Sequence, residues 1–142
     1  MDKQELIATL KSQHRQLQAD LSVVLEETRK ESDLTCENIF ASLAKFKNDL
    51  AEHQELENGV FYVDYLSKKS ERGEDTTSTQ EFIRQMTEIG NTVDAFLAKY
   101  ATCDAIRGTV SGFTSELATI IRILNMRIET EEDGVFGLYL VM

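Results

Sequence analysis

Apolar side chains recur along the chain at steps of three and four residues, the spacing that brings them onto one face of an α-helix. Four stretches show this pattern. The first runs from Asp2 to about Lys30, and the second from about Thr35 to Lys68. The third follows Ser78 and has apolar positions at Phe82, Met86, Ile89, Val93, Phe96 and Tyr100. The fourth has Val110, Phe113, Leu117, Ile120 and Leu124, followed by Arg127 and Glu131.

Capping signals mark the start of two of these helices. Asp2 and Glu5 have the spacing of a capping box, with Asp in place of the usual Ser or Thr. Ser78 and Glu81 have the same spacing at the start of the third stretch. We therefore expect the first and third helices to begin at these residues.

Polar and flexible residues separate the four stretches. The predicted breaks are Ser32–Leu34, the polar loop Lys69–Thr77 and a connection at Asp104–Gly108. Asp133-Gly134 is expected to end the fourth helix. The apolar segment Val135–Met142 then either continues the helix or folds back on the molecule, and the pattern does not choose between these two.

Four long amphipathic helices with short connections predict an all-α protein, an up-down-up-down four-helix bundle formed by a single domain over residues 1–142. The chain has no proline, so the commonest interrupter of helices is absent. No apolar run is long enough to cross a bilayer and no signal peptide is seen, so we expect a cytoplasmic protein without membrane contact. A net charge of −10 argues against a nucleic-acid partner.

Two cysteines, Cys36 and Cys103, are too few for a disulfide framework and belong to no C-x-x-C pair. We expect both to be reduced residues in or near the core. The antiparallel arrangement nevertheless places them at the same end of the bundle, so a disulfide between them is the alternative.

Ionisable side chains interrupt the apolar faces at one level of the predicted bundle. His14 lies between Leu10 and Leu17 on the first helix, and His53 and Glu57 occupy core-facing positions on the second. In an antiparallel hairpin, residues equidistant from the turn face each other, which pairs His14 with His53. Burying a charge without a partner is costly, so a metal ion or another side chain is expected to pair with these groups.

These residues resemble the hemerythrin-like (HHE cation-binding) family, four-helix bundles whose helices donate histidines and carboxylates to two iron atoms. His53 and Glu57 match the family's H-x-x-x-E motif, and Phe61-Tyr62 follow as expected. The segment from Arg127 to Phe136 resembles the closing H-x-x-x-E-E motif, with arginine in place of histidine. The resemblance implies that the metal ligands are His14, His53, Glu57 and Glu131.

Two departures from the family bear on the number of ions. Ile89 stands where the third helix should supply a histidine, and Arg127 stands where the fourth should. The resemblance therefore implies that one metal position is intact and the other is lost, leaving room for one iron, manganese or zinc ion. Alternatively no metal is bound and Arg127 neutralises Glu57 or Glu131. A third arrangement turns Arg127 outward, with Ile128 taking the core-facing position.

Two functional hypotheses follow. In the first, the protein is a degenerate hemerythrin-like protein that binds one ion and acts in metal, redox or small-ligand sensing, without reversible oxygen carriage of the di-iron kind. In the second, it is a metal-free regulatory or protein-interaction module with Arg127 salt-bridged in the former metal site. A protein partner or homo-oligomer is compatible with both. We do not expect an enzyme, because no Ser/His/Asp or Cys/His set is present.

Overall fold

The computed structural model describes residues 1–30 and 33–142, and these described residues form helices and short connections without any strand. The α-helices are α1 Lys3–Thr28, α2 Cys36–Leu56, α3 Tyr62–Glu71, α4 Thr77–Lys99, α5 Cys103–Arg107, α6 Val110–Thr130 and α7 Phe136–Leu140. Two π-helical turns, Glu57–Phe61 and Glu131–Val135, join α2 to α3 and α6 to α7 without a break. The all-α prediction is confirmed. No described helix is long and apolar enough to span a membrane.

Of the two capping boxes predicted from the sequence, the structure contains one. At α1, Asp2 accepts a hydrogen bond from the Glu5 backbone N–H at 2.8 Å and the Glu5 carboxylate accepts one from the Asp2 N–H, so this capping box is confirmed. The capping box predicted at Ser78 is wrong, because α4 already begins at Thr77. There the Asp75 carboxylate accepts from both the backbone N–H and the hydroxyl of Thr77.

The breaks between the helices differ from those predicted: α1 already ends at Thr28 and α2 begins only at Cys36, whereas the second loop is shorter than expected. Ser32 lies outside the described residues, whereas Asp33 and Leu34 lie between α1 and α2. The second loop spans only residues 72–76 and contains Gly73 at φ +70°, a left-handed conformation that suits glycine. The segment Asp104–Gly108 was predicted to be a connection, but most of it belongs to the short helix α5.

The fourth helix does not end at Asp133-Gly134. The backbone stays helical through the π-helical turn and α7 as far as Leu140. Burial explains this continuation, because Phe136 and Tyr139 are only 1% and 2% exposed beyond the glycine. Packing of these aromatic rings outweighs the low helix propensity of one glycine.

The core consists of two apolar clusters. The smaller is formed by Leu6, Ile7, Leu10, Phe61, Tyr62, Tyr65, Phe136 and Tyr139. The larger lies towards the opposite end and includes Leu17, Leu21, Val24, Ile39, Leu43, Phe46, Leu50, Val93, Phe113, Leu117, Leu124 and Ile128. Besides α4, which passes from Phe82 to Val93, three helical segments pass from one cluster to the other, between Leu10 and Leu17, between Leu50 and Phe61, and between Ile128 and Phe136. The residues at these three crossings form the layer between the clusters.

The helices that carry this layer pack directly on one another. Helix α1 packs against α2, α6 and α7, and α4 packs against α6. At the far end of the larger cluster, a disulfide joins Cys36 and Cys103, whose Cα atoms are 5.7 Å apart. The expectation of two reduced cysteines is therefore wrong. The first residues of α2 and α5 lie side by side, which brings the two sulfur atoms within bonding distance.

Candidate metal centre

Four ionisable side chains meet in the layer between the two apolar clusters. His14 comes from α1, His53 from α2, and Glu57 and Glu131 are the first residues of the two π-helical turns. One ligand atom from each lies within 4.8 Å of the others. All four residues are at most 2% exposed. Sequence reasoning placed these four side chains at one level, and the structure brings them together.

The π-helical turns explain how each carboxylate reaches the interior beside a large aromatic residue. A π-helical turn accommodates one extra residue and shifts the phase of the helix that follows. The five-residue step from Glu57 to Tyr62 brings both residues onto the same buried face, as the wider π-helical turn allows. The same shift after Glu131 turns Phe136 into the core, where its ring stacks on His14 at 5.7 Å.

Donor atoms in the cluster are close together without being hydrogen-bonded. His14 Nε2 lies 3.2 Å from Glu131 Oε1, and His53 Nε2 lies 2.5 Å from Glu57 Oε2. Nevertheless His14 Nε2, Glu131 Oε1 and both Glu57 oxygens are buried and have no hydrogen-bond partner. Buried polar atoms are normally paired, and unpaired ones call for an explanation. A cation among them would satisfy all four atoms at once.

Hydrogen bonds on the outer side of both imidazoles orient their lone pairs inward. His14 Nδ1 is 2.6 Å from Glu132 Oε2, and His53 Nδ1 is 2.8 Å from Gln13 Oε1. Because both partners are acceptors, each Nδ1 carries the proton and donates it. An imidazole with its single proton on Nδ1 presents the lone pair of Nε2 to the cluster, as metal-binding histidines do.

Glu131 is oriented in the same way. The Tyr62 hydroxyl donates a hydrogen bond to Glu131 Oε2 at 2.7 Å, which leaves Glu131 Oε1 free on the inner side. Glu57 has no such partner, so both of its oxygens are available to a cation. The donor set is therefore two imidazole nitrogens, one oxygen of Glu131 and one or two oxygens of Glu57.

Sequence reasoning missed the three residues that orient the ligands. Tyr62 entered the prediction only as one of the aromatic residues that follow the H-x-x-x-E motif, and neither Glu132 nor Gln13 was assigned a role. Glu132 is also held by Arg15, which forms an ion pair with its other oxygen. Glu132 had one signal, its place as the second glutamate of the H-x-x-x-E-E motif, whereas Gln13 had only its position next to His14.

Burial and mutual repulsion set the protonation of the cluster in the absence of a cation. Burial, and then the neighbouring His14, lower the pKa of His53 to about 4. Burial and the adjacent Glu131 carboxylate raise the pKa of Glu57 well above its ordinary value. Burial opposes ionisation of Glu131, but interactions with Glu57, His14 and Tyr62 outweigh it and lower the pKa of Glu131. His53, with a pKa of about 4, is thus neutral at pH 7.

The structure places Arg127 away from the cluster. Its guanidinium donates to Gln85 Oε1 and lies 4.7 Å from the centre of the Phe82 ring. Among the described residues Arg127 forms no ion pair, so the predicted salt bridge to Glu57 or Glu131 is wrong. Ile128, 3% exposed, takes the core-facing position, and one helical step of about 100° turns Arg127 aside. Ile89 lies partly buried on α4.

Charge and donor type together limit which ion would fit the cluster. Imidazole nitrogens and carboxylate oxygens suit iron, manganese and zinc. Two ionised carboxylates balance the charge of one divalent ion, and the neutral histidines add none. Arg127 is turned aside, and the further carboxylate that contacts His14, that of Glu132, is paired with Arg15. The residues present therefore fit a single divalent ion.

Comparison with known protein families gives a match over nearly the whole chain. The model of the family described as "Hemerythrin HHE cation binding domain" matches residues 5–139. No curated protein and no solved structure matches the chain. The matched region contains all four clustered residues and the three side chains that orient them.

Proposed function

The chain belongs to the hemerythrin HHE cation-binding domain family, and on this premise we propose that it binds one divalent metal ion through His14, His53, Glu57 and Glu131. The match over residues 5–139 confirms the family resemblance. The proposal depends above all on the buried nitrogen and oxygen atoms that converge without hydrogen-bond partners.

A single ion is favoured over the pair of irons of the family's di-iron arrangement. Ile89 and Arg127 stand where the resemblance assigns the histidines of the second iron, and neither side chain offers a lone pair to a metal. Arg127 contacts Gln85 and Phe82 instead. Reversible oxygen carriage of the di-iron kind is therefore absent in this proposal.

We also infer an up-down-up-down four-helix topology, with α1, α2–α3, α4 and α6–α7 as the four members. The packing of α1 on α2, α6 and α7, and of α4 on α6, supports it. The hydrogen bond between Gln13 and His53 also supports it, because these two residues lie at about equal distances along the chain from the first break.

The role that best suits this centre is sensing of a metal, of redox state or of a small ligand. When bound, the ion would supply Lewis-acid or redox chemistry, while the protein residues would hold and orient it. His14 and His53 present fixed lone pairs, Tyr62 fixes one carboxylate, and the apolar clusters on both sides exclude water. The proposal does not include an enzymatic activity, and the cytoplasm stays the predicted location.

Metal analysis tests this function. Protein purified without chelators and loaded anaerobically with Fe²⁺, Mn²⁺ or Zn²⁺ should retain about one ion per chain for at least one of the three metals. His53→Ala and Glu57→Ala should lose it, whereas the exposed control Glu129→Ala should retain it. Two ions per chain would contradict the single-ion proposal, and none with any of the three metals would refute metal binding altogether.

A further inference from the structure

The Cys36–Cys103 disulfide lies far from the candidate metal centre. Cys36 is the first residue of α2 and His53 lies near the end of the same helix, about 25 Å away at a rise of about 1.5 Å per residue. The two sites therefore share no contact. A role for the cysteines is thus independent of the proposed metal function.

The two cysteines differ in exposure. Cys36 is 8% exposed and belongs to the larger apolar cluster, whereas Cys103 is only partly buried against it. An external thiolate must approach along the axis of the S–S bond, so it reaches the sulfur of the more exposed cysteine more readily. The attacked atom is then Cys103 Sγ, and Cys36 Sγ is the leaving group.

Arg107 bridges the two sides of this bond. Its Nε–H donates to Cys103 Sγ at 3.2 Å, and its Nη2 donates to the Leu34 carbonyl oxygen at 3.1 Å. Leu34 lies two residues before Cys36, so the guanidinium ties both cysteine-bearing segments together without the covalent bond. The positive charge also stabilises a Cys103 thiolate. The free N–H groups of the first turn of α2, a helix of 21 residues, stabilise a Cys36 thiolate.

We propose that Cys36 and Cys103 form a reversible thiol–disulfide exchange site for a small dithiol, with Arg107 holding the reduced pair in register for closure. A thiolate of the dithiol attacks Cys103 Sγ, the S–S bond breaks and its electron pair leaves on Cys36 Sγ. The second thiolate of the dithiol then attacks the first sulfur of the same dithiol, which is bonded to Cys103 Sγ, and Cys103 leaves as a thiolate. Two electrons and two protons pass to the cysteines, and the dithiol becomes a cyclic disulfide.

Reversibility is tested on the intact, native protein. Samples that start oxidised or reduced are equilibrated in mixtures of reduced and oxidised dithiothreitol, quenched with acid, alkylated and counted by mass spectrometry. Both directions should reach the same fraction of doubly alkylated protein at each ratio. Alkylation that requires denaturant would overturn the proposal, and so would a thiol pair that oxidised dithiothreitol does not close.

The role of Arg107 is tested by the rate of closure. In Arg107→Gln the reduced pair should close on oxidised dithiothreitol at least about fivefold more slowly, because the thiolates lose their cation and the segments lose their tie. Arg122→Gln, an exposed arginine on α6, is the matched control and should close at the wild-type rate. Equal rates in the two variants would remove Arg107 from the proposal.

The order of attack is tested with single cysteines. Cys103 in Cys36→Ser should react with a small aromatic disulfide at least about tenfold faster than Cys36 in Cys103→Ser. The reverse order would overturn the assignment of Cys103 as the attacked sulfur. If either variant loses its helical circular dichroism, acid-trapped mixed disulfide of the wild-type protein is mapped by peptide mass spectrometry, and an adduct on Cys36 is the contradicting result. Metal content should be equal in oxidised and reduced protein.

Discussion

At the scale of single residues, the candidate metal centre depends on which atom of each ligand is left free. Hydrogen bonds from His14 to Glu132 and from His53 to Gln13 occupy the outer ring nitrogens. The hydrogen bond from Tyr62 occupies the outer oxygen of Glu131. The inner atoms are then buried without partners, an arrangement that costs free energy in the metal-free protein. The site is thus oriented before an ion arrives.

Replacing Glu132 tests this orientation. In Glu132→Ala, His14 Nδ1 loses its acceptor and the ring is no longer held in the tautomer that presents Nε2. We expect the metal dissociation constant to rise by about 10- to 100-fold, the effect typical of residues that support a metal ligand. Competition with a metal-binding dye measures it. Glu129→Ala, on the same helix but exposed, should leave the constant unchanged; equal weakening in both variants would point to net charge instead.

At the scale of elements, the π-helical turns decide which side chains enter the core. Each turn begins at a cluster carboxylate and carries a glycine, Gly59 or Gly134, at its third or fourth position. A β-carbon built on Gly134 would meet no atom within 4 Å. This glycine therefore serves neither a close approach nor a left-handed turn.

Substituting Gly134 tests the continuation of the helix beyond Asp133. Because the backbone there is helical and uncrowded, Gly134→Ala should raise the free energy of unfolding by up to about 1 kcal/mol. Gly73→Ala, at φ +70°, should lower it by a similar amount. Urea denaturation measures both. Destabilisation by Gly134→Ala would mean that the helix ends at Asp133-Gly134 after all.

The start of α2 depends on Glu27 of α1. Its Oε1 accepts the Thr35 backbone N–H at 2.6 Å and its Oε2 contacts Lys30 Nζ at 2.7 Å. Lys30 first, and then Thr35, lower the pKa of Glu27. A carboxyl whose pKa is lower in the folded state stabilises the protein above its unfolded pKa of about 4.3, and this stabilisation is lost as the pH falls through the folded value.

Glu27→Gln should therefore reduce stability at pH 7 and flatten its decline at acid pH. Urea denaturation at a series of pH values between about 3 and 7 measures this change. The neighbouring Glu26 is exposed and paired only with Arg29, so Glu26→Gln should leave the pH profile close to that of the wild type. Parallel profiles for Glu27→Gln and the wild type would show that Glu27 does not titrate with folding.

At the scale of the whole molecule, a buried polar layer separates two apolar clusters. The clusters fix the heights of α1, α2 and α6, and the layer between them brings ligands from three helical segments to one point. Since this point exists only in the folded protein, ion binding and folding are coupled. Metal binding should therefore raise the free energy of unfolding of the whole protein.

Binding of the ion should raise the free energy of unfolding. At a free metal concentration about 100 times the dissociation constant, the expected gain is about 2.7 kcal/mol, and a chelator should reverse it. Denaturant titration with and without metal measures the gain. His53→Ala should show no metal-dependent change, and stabilisation of that variant by the same amount would place the ion elsewhere.

The main features of the fold were predictable because periodicity directly reports which faces are buried. The all-α class and the capping box at Asp2 follow from spacing along single helices. The convergence of His14 with His53 follows from their equal distances to the turn between two antiparallel helices. The capping box at Ser78, the helix end at Gly134 and the salt bridge of Arg127 were wrong. Each was based on a sequence preference that contacts in the folded protein outweighed. At the start of α4 these are the hydrogen bonds of Thr77 to Asp75. Beyond Gly134 it is the burial of Phe136 and Tyr139, and beside Arg127 it is the burial of Ile128.

The sequence by itself predicted that two histidines and two glutamates meet at one level. Helical period and hairpin symmetry, which are properties of the chain, placed His14, His53 and Glu57 there, and the family resemblance added Glu131. Only the folded arrangement decided how those side chains were oriented. The partners Gln13, Glu132 and Tyr62, the shift of phase at Glu57 and Glu131, and the bond between Cys36 and Cys103 all depend on side-chain directions and on contacts between distant segments. The spacing of residues along the chain does not specify which way a side chain points once two helices pack together. That side-chain orientation decides which nitrogen and oxygen atoms remain free to bind an ion.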